Sequence, residues 1–259
     1  MKISNLVTLT TDFGLRDWFV GVMKGRILAQ NPDCTLIDIT HEITPQSVNQ
    51  AQLVVKMLHE LFDAFAIHLV VVDPGVGSSR RPIIVKKKQG LYVGPDNGVF
   101  SPLYHDDFTC YEIKNFTPKS LSHTFHGRDI FAPVARELSM GKDPELFGPI
   151  ISDPVELEIP AIEKEGQNIY GEILYADNFG NLITNIPGDY LEKAELLCSK
   201  TFEISTFCSS YAEGVPANLC AIKGSHGFIE IFLINGNAKK HSMLDLGNEI
   251  ILILRSNDL

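Results

Sequence analysis

Hydrophobic positions in the first third of the chain alternate between two rhythms. NLVTLT (5–10) is a short apolar and β-branched run that stops at Thr11-Asp12-Phe13-Gly14, as a strand stops at a turn. Residues 17–30 then place Phe19, Val22, Met23 and Ile27 on roughly one helical face, and Asn31-Pro32 ends that helix. CTLIDIT (34–40) predicts a second strand, residues 46–62 a second helix, and IHLVVV (67–72) a third strand. Strand, helix, strand, helix, strand is the pattern of βαβ units and a parallel sheet. Ligands of such sheets sit beyond the carboxyl ends of the strands, where Asp12 and Asp73 both fall.

Strands at 82–87, 90–97 and 108–113 and a helix at 129–140, closed by Gly141, complete this region. From 150 to 166 the texture becomes rich in Pro and Glu without helical periodicity, as in an interdomain connection. Beyond it, IYGEILYAD, NLITNI, TFEI, LCAIKG, GFIEIFL and EIILILR are short strand-like runs punctuated by Gly and Asn. The expected organisation is an N-terminal α/β domain over 1–160, with a mostly parallel central sheet. A smaller all-β, barrel-like C-terminal domain is expected over 168–259.

Charge and cysteine usage narrow the partners. The net charge of −10, from 32 acidic and 22 basic residues, disfavours nucleic acid. Lys86-Lys87-Lys88 is the one notable charge run and reads as a solvated turn between strands. Five cysteines, with no C-x-x-C spacing, argue against a disulfide framework and a cysteine-rich zinc site. No apolar run approaches the ~20 residues of a spanning helix, and the N-terminus lacks a secretory pattern. A cytoplasmic protein without membrane contact is expected. P-loop, nucleophile-elbow and H-E-x-x-H motifs are absent, and Gly75-x-Gly77 lacks the rest of a dinucleotide fingerprint, so no cofactor or metal is expected.

Four clusters carry candidate chemistry. In VVVDPGVGSSRR (70–81), a carboxylate closing a buried strand needs a partner, and the glycine-bent loop returns Arg80 for a bidentate contact. A turn-forming aspartate beside a structural ion pair fits the same residues. In TFHGRD (124–129), His126 lies on a loop beside a glycine and two charges. The bland alternative is a surface histidine followed by a helix-capping Asp129. His41, His59, His68, His105, His123, His226 and His241 lack comparable surroundings. In ADNFGNLITN (176–185), Asp177, Phe179 and Asn181 suit a polar heterocycle through stacking and amide pairing, or form only a tight hairpin turn. Ser225, Glu230, Asn235 and Asn237 surround a later strand, where alternation alone makes Glu230 an outward charge.

Taken together, TDFG (11–14), VVDPGVGSSRR (71–81), GPDNG (94–98), FHGRDIFAP (125–133), DNFGN (177–181) and IEIFLINGNA (229–238) resemble the S-adenosyl-L-methionine (SAM) hydroxide adenosyltransferases, relatives of fluorinase and chlorinase. The resemblance implies hydrolysis of SAM by water or hydroxide at ribose C5′, giving adenosine and L-methionine. It implies a homotrimer with sites between subunits. It implies a catalytic set of Asp73, Arg80 and His126, with Asp12 on the ribose hydroxyls. Phe179 and Asn181 would contact adenine, and Asp177 the methionine amino group. Ser225, Glu230, Asn237 and Ala238 fall in the remaining ligand-binding segment. Asp73 stands where the halogenating relatives carry a tyrosine, and Gly127 where fluorinase has a halide-contacting serine. Both departures favour hydroxide over halide as nucleophile. Ser225-His226-Gly227 departs from the family's usual residues near the methionine side. The alternatives are a non-catalytic adenosine or SAM-binding module and a halide-using 5′-halo-5′-deoxyadenosine synthase. Which group takes the proton stays open from the residues alone.

Overall fold

Apolar β-branched runs flanked by helices account for the N-terminal half of the chain. The computed structural model describes residues 4–118, 120–158 and 160–256. Two units emerge, 1–157 and 158–259.

The first unit is built on a seven-stranded sheet of β1 (Leu6–Thr11), β2 (Thr35–Thr40), β3 (Ala66–Val71), β4 (Pro82–Lys86), β5 (Gly90–Pro95), β6 (Thr109–Glu112) and β7 (Ile150–Ile151). Its order is β2-β1-β3-β5-β4-β6-β7, parallel through β2-β1-β3-β5 and antiparallel from β4 outward. β3 reads AIHLVV and is buried throughout, because helices cover both sheet faces. On one face, Val7, Leu9, Leu69 and Val71 pack with Met23 and Ile27 of α1 (Phe19–Leu28) and Val134 and Leu138 of α3 (Ala132–Ser139). On the other, Val70, Val72 and Val85 pack with Ala51 and Val55 of α2 (Val48–Leu61). Ser47 caps α2 by accepting from the Gln50 N–H.

The lysine run departs from its expected reading. Lys87 is buried, and its Nζ donates to the carbonyls of Leu103 (3.0 Å) and His105 (2.8 Å). Strand alternation turns it inward, where a short 3₁₀ turn at Ser101–Leu103 leaves backbone acceptors free to satisfy an ammonium.

In the second unit, β8 (Glu163–Glu165) pairs with β9 (Asn168–Ala176) at one side of a longer path. The remaining strands are β10 (Leu182–Pro187), β11 (Ala194–Cys198), β12 (Glu203–Ile204), β13 (Phe207–Cys208), β14 (Leu219–Lys223), β15 (Phe228–Leu233) and β16 (Glu249–Leu254). The path runs β12-β11-β16-β9-β10-β15-β14-β13, and β12 also lies against β14, so the sheet curls into a nearly closed barrel. Ile169, Leu182, Ile186, Ile229, Ile231 and Leu252 fill its interior. A short helix, α4 (Ala238–Ser242), follows β15. The architecture is thus α/β followed by all-β. No helix among the described residues is long and apolar enough to cross a membrane.

Candidate active site

Asp12 and Asp73 extend from adjacent parallel strands, since Thr11 of β1 is in register with Val71 of β3. From Asp73 the chain makes a compact loop. The Val76 N–H donates to the Asp73 carbonyl (3.2 Å), and the Ser78 N–H and hydroxyl both donate to that of Gly75. Gly77 holds φ +78°, and a Cβ there would collide with the His123 carbonyl oxygen, so only glycine fits both the turn and the close approach. The loop returns Arg80 to Asp73. Nε donates to Oδ1 at 3.0 Å and Nη2 to Oδ2, the bidentate fork. The two side chains are only 8% and 5% exposed, so an unpaired charge at either would be costly.

Arg80 Nη2 also meets His126 Nδ1 at 2.6 Å. A guanidinium has hydrogens to give and no lone pair to receive with, so Nδ1 must be the acceptor. His126 is therefore neutral and carries its proton on Nε2. Burial and then the neighbouring Arg80 charge push its pKa below the ordinary histidine value. Two buried nitrogens of this array, Arg80 Nη1 and His126 Nε2, find no acceptor among the described residues. Both are N–H donors. The guanidinium also lies over the Phe131 ring, 5.1 Å from its centroid.

Aromatic packing holds the histidine. Phe125 meets Phe13 and Phe19 edge-on, at 5.9 and 5.2 Å between centroids. His126 then enters a π-helical turn, Gly127–Phe131, that leads into α3. Asp129 does not cap a helix. It is buried, accepts from the Ser122 N–H (2.8 Å), and is held by Arg128 from two nitrogens at 2.7 Å each. The π turn carries it inward, past the position from which a capping side chain reaches back.

Asp12 lies apart from the Asp73–Arg80–His126 contacts. Its Oδ2 accepts from the N–H of Gln46, a non-glycine residue with φ +67°. Next to it, Thr11 Oγ1 meets His41 Nδ1 at 2.8 Å, and His41 Nε2 lies 3.0 Å from Asp38, which also binds Lys24. His41 gave no local signal in sequence. The only clue was its place just past the end of β2, level with Asp12.

In the second unit, the turn after β9 is tied by Asp177. Its Oδ1 accepts from the N–H groups of Phe179 (2.9 Å) and Asn181 (2.8 Å), and its Oδ2 from Asn181 Nδ2 (3.1 Å). The Phe179 ring stands 76% exposed on this turn. Gly180, at φ +86°, packs so closely on Asn237 that no Cβ fits. Asn237 in turn caps α4 by accepting from the Lys240 N–H. Ala238 is fully buried in the barrel core, which leaves its backbone for any ligand contact.

Glu230 is not the outward charge that alternation allows. It is 4% exposed and accepts from Tyr211 OH (2.6 Å) and His226 Nε2 (3.3 Å). Burial alone would raise its pKa, but these hydrogen bonds hold it below the usual carboxylate value. His226 Nδ1 accepts from the Phe228 N–H, so both of its ring nitrogens are used internally. Ser225 is exposed beside this cluster. Tyr211 was not singled out by sequence, because the 19 residues from Tyr211 to Glu230 are bridged only by the barrel's curvature.

The comparisons with known proteins agree across both units. Residues 7–148 match the model of the SAM hydroxide adenosyltransferase N-terminal domain, and residues 171–251 that of its C-terminal domain. A (R)-S-adenosyl-L-methionine hydrolase of Methanocaldococcus jannaschii is 34% identical, with 97% of each chain covered. A fluorinase of an Actinoplanes species is 26% identical over 73% of this chain and 74% of its own. A crystal structure of an uncharacterized conserved protein from Thermotoga maritima superposes with a TM-score of 0.88 at 35% identity, covering 95% of this chain and 99% of that one. With both domain models matched in order over most of its length, the chain belongs to the SAM hydroxide adenosyltransferase family.

Proposed function

We propose that this protein hydrolyses SAM to adenosine and L-methionine, with hydroxide attacking ribose C5′. The observation that carries the reading is the pair of buried donors, Arg80 Nη1 and His126 Nε2, on side chains locked together by Asp73. Two N–H groups suit an oxygen carrying negative charge. The hydrolase names of the relatives support the substrate.

The sulfonium of SAM leaves readily as a neutral thioether, so the difficulty lies in supplying the nucleophile. Water has a pKa of about 15.7. Both Asp73 oxygens accept from Arg80, and His126 Nδ1 is occupied by Arg80 as well. On this reading the array is a donor cradle rather than a general base. The water gives its proton to solvent, and the hydroxide is held by Arg80 and His126. Its oxygen bonds to C5′ while the C5′–S electron pair goes to sulfur. Preorganised donors of this kind contribute roughly 10²–10³-fold each, and in-line positioning adds to that.

The same reading places the ribose diol on Asp12, adenine on Phe179 and Asn181, and the methionine ammonium on Asp177. Ser225, Asn237 and the Ala238 backbone complete the methionine and nucleoside contacts, and Glu230 acts by orienting Asn181. A homotrimer with sites between subunits belongs to the proposal through family resemblance, and a cytoplasm that keeps the five thiols reduced through the cysteine usage. Sedimentation equilibrium tests the assembly.

Incubation with SAM in H₂¹⁸O tests the chemistry. Adenosine with one ¹⁸O at the 5′ position, together with unlabelled methionine, is the expected product pair. Binding without turnover would favour a sensor module. A 5′-halonucleoside formed in chloride or fluoride would favour a synthase. Either result overturns the proposal.

A further inference from the structure

Behind the His126 turn, the first unit holds a cavity of about 440 Å³ between α1, α3 and residues Phe116, Thr117, Pro118 and Ser120. Three guanidinium groups, Arg26, Arg128 and Arg136, and two carboxylates, Asp129 and Glu137, line it, together with Thr117 and an apolar floor of Phe116 and Pro133. On a chain of net charge −10, the lining still carries one net positive charge. Of these residues only Arg128 and Asp129 belong to a cluster described above, the His126 turn.

Arg26 and part of Arg136 keep hydrogen-bonding capacity, whereas Arg128 is paired with Asp129. Arg26 forms no ion pair within 4 Å among the described residues. Arg136 gives one nitrogen to Glu137 (2.7 Å) and one to the Arg26 carbonyl (3.5 Å), while its Nε is buried with no acceptor among the described residues. Glu137 also faces Lys142 at 3.9 Å, so its charge is shared. Arg128 is held in place by the buried Asp129 and lies over the Phe125 ring, 5.2 Å from its centroid. Planar guanidinium forks match tetrahedral oxyanions, and a cavity of this size accepts more than a bare ion.

We infer that this cavity is a binding site for the phosphate group of a small organic monoester, with Arg26 and Arg136 gripping the phosphate and Phe116 and Pro133 covering the organic body. It is separate from the proposed SAM site. Arg128 and Asp129 come two and three residues after His126 within one π turn, so a bound phosphate bears on the segment that carries the histidine.

Isothermal titration with phenyl phosphate and with inorganic phosphate tests the inference. Saturable binding of phenyl phosphate is expected below about 1 mM, weakened at least tenfold in Arg26→Gln and in Arg136→Gln. Arg26 is exposed, so its variant tests the site even if the Arg136 variant folds poorly. Thermal melts of the variants, without ligand, verify folding. Equal affinity for inorganic phosphate would overturn the organic part of the inference. No saturable binding, or binding unchanged in a folded Arg26→Gln protein, would overturn the site itself.

Discussion

Arg80 donates through Nη2 to Nδ1 of His126 across 2.6 Å, and this one bond decides the histidine's tautomer. The Nε2 proton then points away from Arg80 as a donor. Replacing His126 with Ala removes that donor and leaves Arg80 with one. Turnover of SAM should fall roughly 10²–10³-fold, as for loss of one oxyanion donor, with KM changed little. Steady-state kinetics on His126→Ala decides it, and retained turnover removes His126 from the cradle.

The same bond makes activity sensitive to acid. A protonated His126 would carry a hydrogen on Nδ1, aimed at Arg80 Nη2, and the two cations would repel. Because burial and Arg80 lower the His126 pKa, the neutral form persists below the usual histidine value of 6.5. Because the nucleophile is hydroxide formed by loss of a proton to solvent, kcat/KM should fall about tenfold per pH unit from about pH 8 downward, and protonation of His126 should add a second, steeper fall only below pH 6.5. A second proton-dependent break above about pH 6.5 in the kcat/KM profile would contradict the assigned tautomer.

Gly77 tests the loop that delivers Arg80. Alanine would meet two obstacles there, the left-handed backbone at φ +78° and the His123 carbonyl oxygen. The first alone costs about 1–2 kcal/mol. Gly77→Ala should lower kcat at least about tenfold while far-UV dichroism keeps the native spectrum, since the loop lies outside the sheet. Wild-type kcat in this variant would show that the loop tolerates displacement.

These residues differ in how far the sequence disclosed them. The βαβ rhythm, the strand ends at Asp12 and Asp73, and the returning Arg80 could all be read locally, because period and turn chemistry are local properties. Glu230 and Lys87 could not. Each is a charge on a strand-like segment, and each is buried because a partner distant in sequence helps satisfy it: Tyr211, beside the nearby His226, for one, the Leu103 and His105 carbonyls for the other. The inward turn of Asp129 was hidden for a related reason. A π turn adds one residue to the helical count and rotates every later side chain of the helix, and no local residue preference announces it.

His68 makes a stability prediction distinct from catalysis. It is buried in β3, stacked on Tyr92 at 4.6 Å, edge-on to Phe62, bonded at Nδ1 to Thr8 Oγ1 and near His59. Burial, then the His59 charge, lowers its pKa to about 4. The unfolded chain takes up this proton near pH 6.5 and the folded chain only near pH 4. The contribution is therefore complete above about pH 6.5 and is lost as pH falls toward 4, by at most about 3 kcal/mol. Urea midpoints at about pH 7 and pH 4.5 should differ less in His68→Gln than in the wild type. An equal fall in both would assign the acid sensitivity to other groups.

Asn181 leads to a prediction about the base. Its Nδ2 donates to Asp177 Oδ2, which sets the amide with Oδ1 turned away from that carboxylate, and Asn181 also helps hold the Glu230 carboxyl below its usual value. The amide then presents Oδ1, an acceptor, to a ligand. An acceptor selects a 6-amino purine and meets a 6-oxo group as a second acceptor, leaving both unpaired. Adenosine should therefore inhibit SAM turnover at least about tenfold more strongly than inosine, as expected when a buried polar group loses its partner. Glu230→Leu removes a carboxylate that interacts with Asn181, so the amide is less firmly oriented and the preference should narrow in that variant. Equal inhibition by the two nucleosides in the wild type would mean that Asn181 does not read the purine 6-position.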